Sequence, residues 1–405
     1  MAYESMSVTP KYTIGTKRAY GLDFWILYSV CSVFVLLFIG RCYDSLDTLC
    51  KIIALILSIA CCVLVVMRSY RFKSLETLYI VVIFLFLAFQ FTYVEHRYSQ
   101  SILSSLFGSY YYFFVLLLPV FNYLLDKLGD VYILEVLETT ALLLSIFMLV
   151  VAVLMNFAGI NITQVSKQRE NNIRLDAPIL VQMMPMISLF LSMNRIGKVR
   201  KHVLALFCCM LALIYVGQSR WCTLLIIACL ALMILLQHRK NAALLFVYAL
   251  VLGLVGLALI IHGPLGQLMR SFSVDSVYGA STLTRIYETD YYWELFKANP
   301  VNGTGLLTYG TSSYSIITGP FNNFYVDDVG IIGALAVMGL WVIPTFIIPF
   351  IILIHSIARK PQWKGLGWPI ALYILGTMFA LLITFPYFDP FWVLTLAFFC
   401  SKRNV

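Results

Sequence analysis

The sequence predicts an all-α, polytopic integral membrane protein, and three observations predict it. Of its 405 residues, 61% are apolar and only 12% charged. Its mean hydropathy is +0.90. Apolar stretches of about 20 residues, the length needed to cross a bilayer core, follow one another along the whole chain. A soluble domain carries about twice this share of charge. The composition therefore excludes an ordinary soluble enzyme, a disordered tail protein and a nucleic-acid-binding module. The net charge of +9 is here a topology signal, because basic loops fix orientation in a membrane.

Taken in order, the apolar runs place spans near 22–40, 49–67, 76–94, 109–125, 136–157, 178–194, 203–219, 221–237, 242–262, 330–356, 366–384 and 386–400. That makes about twelve helices in one membrane domain covering 1–405. The polar start, Met1 to Gly21, leads directly into a full-length span without a cleavable signal pattern. With the N-terminus inside, eighteen of the 28 Lys and Arg fall on the cytoplasmic side and ten on the other. That bias predicts both termini in the cytoplasm. Of the 10 Cys, most lie in apolar runs, where Cys behaves as a small hydrophobe. Cys42 and Cys50 flank a short loop where a bridge is conceivable. No spacing resembles a metal site, and no metal or cofactor is expected.

Most of the outside cations sit in two loops, 158–177 and 263–329. The second is the chain's one long external loop, and a loop of that length without function is uncommon. Its middle, Ser281 to Asn299, reads STLTRIYETDYYWELFKAN. Leu283, Ile286, Tyr287, Trp293 and Phe296 fall near helical spacing, Ser281 or Thr282 can cap the start, and Asn299-Pro300 stops it. Tyr and Trp suit such an amphipathic helix to the headgroup level. Gly303 and Gly305 then permit a tight turn with close backbone approach. The loop ends on Phe321-Asn322-Asn323-Phe324-Tyr325-Val326-Asp327-Asp328-Val329-Gly330, which enters the next span.

This series resembles the O-antigen ligase and Wzy-type polysaccharide polymerase superfamily. Members have roughly ten to fourteen spans and a large external loop late in the chain. That loop carries an Arg helix with an aromatic, an Asn-Pro…Gly-x-Gly turn, and a His-Asn…acid…Gly-x-x-Gly entry into a helix. Arg285, Trp293, Asn299-Pro300, Gly303 and Gly305 match the first part. Asn323, Asp327 or Asp328, Gly330 and Gly333 match the last. Arg220, in Gln218-Ser219-Arg220-Trp221, fits a second family Arg at the outer end of an earlier helix, and Arg174 is a looser match to a third basic position. Asn322 stands where ligases have His. Asn has no titratable proton and cannot act as a general base.

The resemblance implies an inverting, metal-independent glycosyl transfer between polyprenyl-pyrophosphate-linked oligosaccharides at the outer face of a bacterial inner membrane. It implies Arg220, Arg285 and Arg174 as pyrophosphate ligands, since guanidinium groups suit phosphate. Asp327 and Asp328, with Asn322, are the catalytic candidates, and Glu288 and Asp290 stand behind them. Trp293, Asn323, Gly303 and Gly305 form a substrate loop. Implied partners are the lipid-linked substrates, membrane lipid, and a chain-length regulator and flippase of the same pathway, with no nucleic acid. The Asn322 departure tilts the expectation from ligase toward polymerase. A ligase-type transferase and a lipid-linked oligosaccharide flippase stay as alternatives. Helix-capping acids, a snorkelling Arg220 and turn-forming Asn322 and Asn323 are the structural readings to weigh against these roles.

Overall fold

A computed structural model describes residues 21–160, 163, 167–169, 172–238, 279–320, 322–380 and 390–400. Three long helices open the described chain: α1 (Leu22–Cys42), α2 (Asp44–Met67) and α3 (Ser74–Tyr98). A short α4 (Ile102–Gly108) follows. A 3-10 turn over Tyr110–Leu116 then feeds α5 (Leu117–Leu128), and α6 spans Asp130–Phe157. A small antiparallel hairpin, β1 (Lys167–Arg169) with β2 (Asn172–Arg174), pairs Gln168 with Ile173. Beyond it lie α7 (Ile179–Met193), α8 (Val199–Leu211) with a π turn over Ala212–Gly217, and α9 (Arg220–His238).

Among the described residues, six helices are long and apolar enough to cross a membrane, or seven if one bent pair counts as a span. The chain is a helical, multi-pass membrane protein by these helices. About twelve spans are not counted among the described residues: Ile179–Met193, Trp221–Gln237 and Pro390–Cys400 enter as shorter apolar stretches, and the run predicted at 242–262, with parts of those at 366–384 and 386–400, lies outside the described residues. The polarity of these helices suits lipid: α2 turns Leu49, Ile56 and Val63 outward while Ala54, Ser58 and Cys61 are buried. Cys42 and Cys50 are both buried free thiols.

The second half of the described chain contains α10 (Gly279–Ala298), the one-turn α11 (Ser315–Thr318) and α12 (Ile331–Met338). After these come α13 (Ile348–Arg359), α14 (Lys364–Ala380) and α15 (Pro390–Cys400). The span predicted over 330–356 is not straight. Ile331–Trp341 and Ile343–Arg359 meet at 107°. Gly339 sits at the break with φ 59°, and Pro344 and Pro349 follow it. A helix end leaves its last carbonyls without intrahelical partners. Here Thr304 N–H donates to Ala336 O at 2.7 Å and Gly305 N–H to Val337 O at 2.9 Å, while Leu340 N–H returns to Pro300 O at 2.8 Å. The Asn-Pro…Gly-x-Gly turn is therefore stitched to the helix break by main chain alone.

The same turn is fastened to α3. Gln90 Nε2 donates to Asn302 O at 3.2 Å, and Asn299 Nδ2 bonds Tyr93 Oη. Gln100, just past α3, is buried; its Nε2 donates to Ser105 Oγ at 2.7 Å and to Leu306 O at 3.1 Å, and its Oε1 accepts from Thr308 N at 3.0 Å.

A buried polar group also joins three of the described helices. Glu138 of α6 is fully buried. Ser188 Oγ donates to it at 2.6 Å, His202 Nδ1 lies 2.8 Å away, and Lys201 Nζ is at 3.5 Å. His202 Nε2 faces Ile196 O at 2.5 Å. This group joins α6, α7 and α8, and burying such a carboxylate is tolerable only with this many donors.

Candidate active site

The described residues assemble the predicted site residues into two groups. The first forms where β2 meets the end of the π turn. Arg174 Nε donates to Gly217 O at 3.1 Å and its Nη2 lies 3.7 Å from Asp176 Oδ1. Leu175 N–H donates to Val216 O at 3.1 Å. Gln218, at φ 47°, turns the chain so that α9 opens on Arg220. The sequence thus places Arg174 at the same corner as the backbone of Arg220, though 46 residues separate them.

The second group is built on α10. This helix turns Leu283, Ile286, Tyr287 and Trp293 outward and buries Glu288 and Tyr292. Trp293 packs on Phe296 with ring centroids 5.3 Å apart. The inward face grips the returning loop at three points. Tyr291 Oη donates to Ile316 O at 2.8 Å, and Tyr292 Oη donates to Ile317 O at 2.6 Å. Glu288 Oε1 accepts from Tyr325 N at 2.9 Å. The third grip sets the register of the 3-10 turn Val326–Asp328. That register brings Asp328 Oδ2 to 3.6 Å from Arg285 Nε. Asp327 lies beside it, within electrostatic reach of Tyr111, Tyr292 and Tyr314. The aromatic run that begins at Tyr110 therefore borders this site.

The remaining candidates fall around this core. Asn322 is exposed, adopts φ 53° and accepts from Thr318 Oγ1 at 2.9 Å. That is the conformation of a turn-forming Asn. Asn323 is exposed. Gly303 and Gly305 serve close packing: a Cβ on Gly303 would lie 2.5 Å from the Val337 backbone, and one on Gly305 would lie 2.4 Å from Val94.

Glu288 has a larger part than its sequence position suggested. Burial pushes its carboxyl up from the ordinary 4.5 to about 7; the Asp328 charge adds to this, while the Tyr325 N–H and Arg285 oppose it. A carboxyl in that range is half-ionised at neutral pH. Its folded form holds a proton that the unfolded chain has already lost. Its contribution to stability therefore falls as pH rises from about 4.5 through 7 and is flat above that. The full difference corresponds to about 3 kcal/mol. Glu288→Gln is expected to flatten this part of the Tm-against-pH curve in detergent. An unchanged slope would show that another group sets it.

Arg285, Glu288, Asp327 and Asp328 thus form one polar group on a rigid helix and a pinned turn. A guanidinium flanked by carboxylates is able to meet a phosphate-bearing ligand on one side and a hydroxyl proton on the other. Residues 205–331 match the O-antigen ligase family. The matched segment runs from α8 to the first residue of α12. It contains Arg220, Arg285, Glu288, Trp293, the Gly303–Gly305 turn, Asn322, Asn323 and both aspartates, and it leaves out Arg174. It covers just under a third of the chain. Members of the O-antigen ligase family are glycosyltransferase-like enzymes. No curated protein matches the chain.

Proposed function

We propose that this chain is a polysaccharide polymerase. It joins polyprenyl-pyrophosphate-linked oligosaccharide units at the outer face of a bacterial inner membrane, with both termini in the cytoplasm and the 263–329 loop outside. The observation that carries the reading is the Arg285–Asp328 pair, with Asp327 beside it, inside the segment that matches the O-antigen ligase family. In the reaction, a hydroxyl oxygen of the acceptor sugar forms a bond to the anomeric carbon of the donor. The carbon–oxygen bond to pyrophosphate breaks, and the leaving group keeps the electron pair. Arg285, with Arg220 and Arg174 at their corner, offsets that growing charge, an effect of several kcal/mol when donors are preorganised. The acceptor's proton passes to Asp327 or Asp328. Nothing in this scheme calls on a nucleotide, since the donor's phosphate ester already holds the bond energy. Inversion and metal independence come with the family resemblance.

Transfer of the glycan to a different carrier is the second reading, favoured by the ligase description of the matched family. The turn position of Asn322, where ligases have His, speaks for polymerase.

The test is made on cells lacking the gene, complemented with wild type, with surface glycan resolved by size. Single lipid-linked repeat units exposed outside the deleted cells, and long chains restored by complementation, are the expected outcome. Repeat units held inside the deleted cells would replace the polymerase with a flippase. Normal chains that fail only to reach their final carrier would make it a ligase.

A further inference from the structure

A second site lies away from the loop, at the opposite end of α3. A cavity of about 670 Å³ opens between the start of α3, α5, α13 and the end of α15. Its wall is apolar over Leu75, Leu78, Val82, Ile348 and Leu396. Leu75, Leu78 and Ile348 are exposed at its sides, so the cavity faces outward from the helix bundle. Lys73 marks its polar end and Val82 its deep end. Nine helical residues span about 14 Å. That is close to half of a hydrocarbon core of about 30 Å, the depth of one leaflet.

The polar end is chemically built. Glu76, almost completely buried, accepts from Tyr70 Oη at 2.8 Å, from Asn122 Nδ2 at 2.7 Å and from Lys73 N at 3.3 Å. Asn122 is 2% exposed and lines the cavity. Its Oδ1 has no hydrogen-bond partner among the described residues. Lys73 Nζ pairs with Asp126 at 3.1 Å, and Lys360, within electrostatic reach of Lys73, donates to Phe398 O at 3.2 Å. A buried acceptor without a donor costs stability, so the chemistry asks for an N–H or O–H group at Asn122, a phosphate near the lysines and a chain one leaflet long below them.

We propose that this cavity binds one membrane phospholipid whose headgroup carries a primary ammonium. Its acyl chain fills the groove down to Val82. Its phosphate meets Lys73 and Lys360, and its ammonium donates to Asn122 Oδ1 and Glu76. A trimethylated headgroup offers the same charge and no N–H. The site is independent of the proposed polymerase reaction, none of whose residues lines it.

The experiment reconstitutes the full chain into nanodiscs of equal phosphatidylethanolamine and phosphatidylcholine, extracts it gently and identifies retained lipid by native mass spectrometry. Wild type is expected to retain one phosphatidylethanolamine with a preference of roughly tenfold, the scale of one hydrogen bond to a charged group. Leu78→Trp, at an exposed lining position, fills the groove and is expected to lose the retained lipid. Asn122→Leu is expected to retain lipid without headgroup preference. Equal retention of both lipids by wild type would overturn the proposal, as would Leu78→Trp retaining as much lipid as wild type. Thermal melting of each variant separates loss of lipid from loss of fold.

Discussion

Replacing Arg285 with alanine is expected to cut the rate of glycan chain growth by about a hundredfold or more, the usual effect of removing one preorganised donor to a developing anion. The side chain is half-buried, and its Nε lies 3.6 Å from Asp328 Oδ2, longer than a good hydrogen bond. Such a guanidinium is oriented by its carboxylate yet has donors to spare. In the proposed reaction, removing it would leave Glu288, Asp327 and Asp328 facing the donor's pyrophosphate without the Arg285 charge. Like charges then oppose donor binding as well as departure of the leaving group. Arg285→Lys keeps the charge and loses the fork geometry, so partial recovery is expected. The measurement is chain growth on a lipid-linked donor by purified variants in vesicles, with thermal melting as the control. A well-folded Arg285→Ala that grows chains at the wild-type rate would remove Arg285 from the reaction.

Gly303→Ala is expected to destabilise the protein by about 3 kcal/mol or more, the scale of overpacking combined with backbone strain. Gly303 has φ 63°, a region where L residues are strained. Its missing Cβ leaves room for the Val337 backbone, and that neighbour cannot rotate away as a side chain would. Gly310 provides the comparison. Its φ is 87°, but nothing lies within 4 Å of its Cβ position. Gly310→Ala should therefore cost only about 1 kcal/mol from the backbone. Thermal melting in detergent reads both. Equal melting temperatures for the two variants would mean that the turn does not press on the helix break.

Hydropathy made the first six long helices readable, because each is a single apolar run bounded by charge or Gly. It could not reveal the bend in 330–356. The run is apolar on both sides of Gly339, and the positive φ there answers the carbonyls of Pro300 and Val301 arriving from outside the run. Hydropathy records how much a segment prefers lipid and is blind to its backbone path. The candidate site was legible mainly through the family series. Arg285 and Asp328 are 43 residues apart, and the grips of Tyr291, Tyr292 and Glu288 on the returning loop bring them together. Glu288 stands in the sequence behind Asp327 and Asp328 as a candidate, but an acid beside Thr and Asp carries no mark of burial. The Glu138–His202 group was missed altogether. Its signal was an acid inside an apolar run, where a charge needs a partner.

The stitch between the Gly303–Gly305 turn and the end of α12 is made of peptide groups. A fastening of that kind takes no notice of which side chains hang from it, provided the glycines stay small. The exposed positions of this stretch, Val301 and Tyr309, can therefore change while its footing on the helix break stays fixed. The side chains of such a mount are free to diverge, and the distance between the turn and the helix break is held by the main chain.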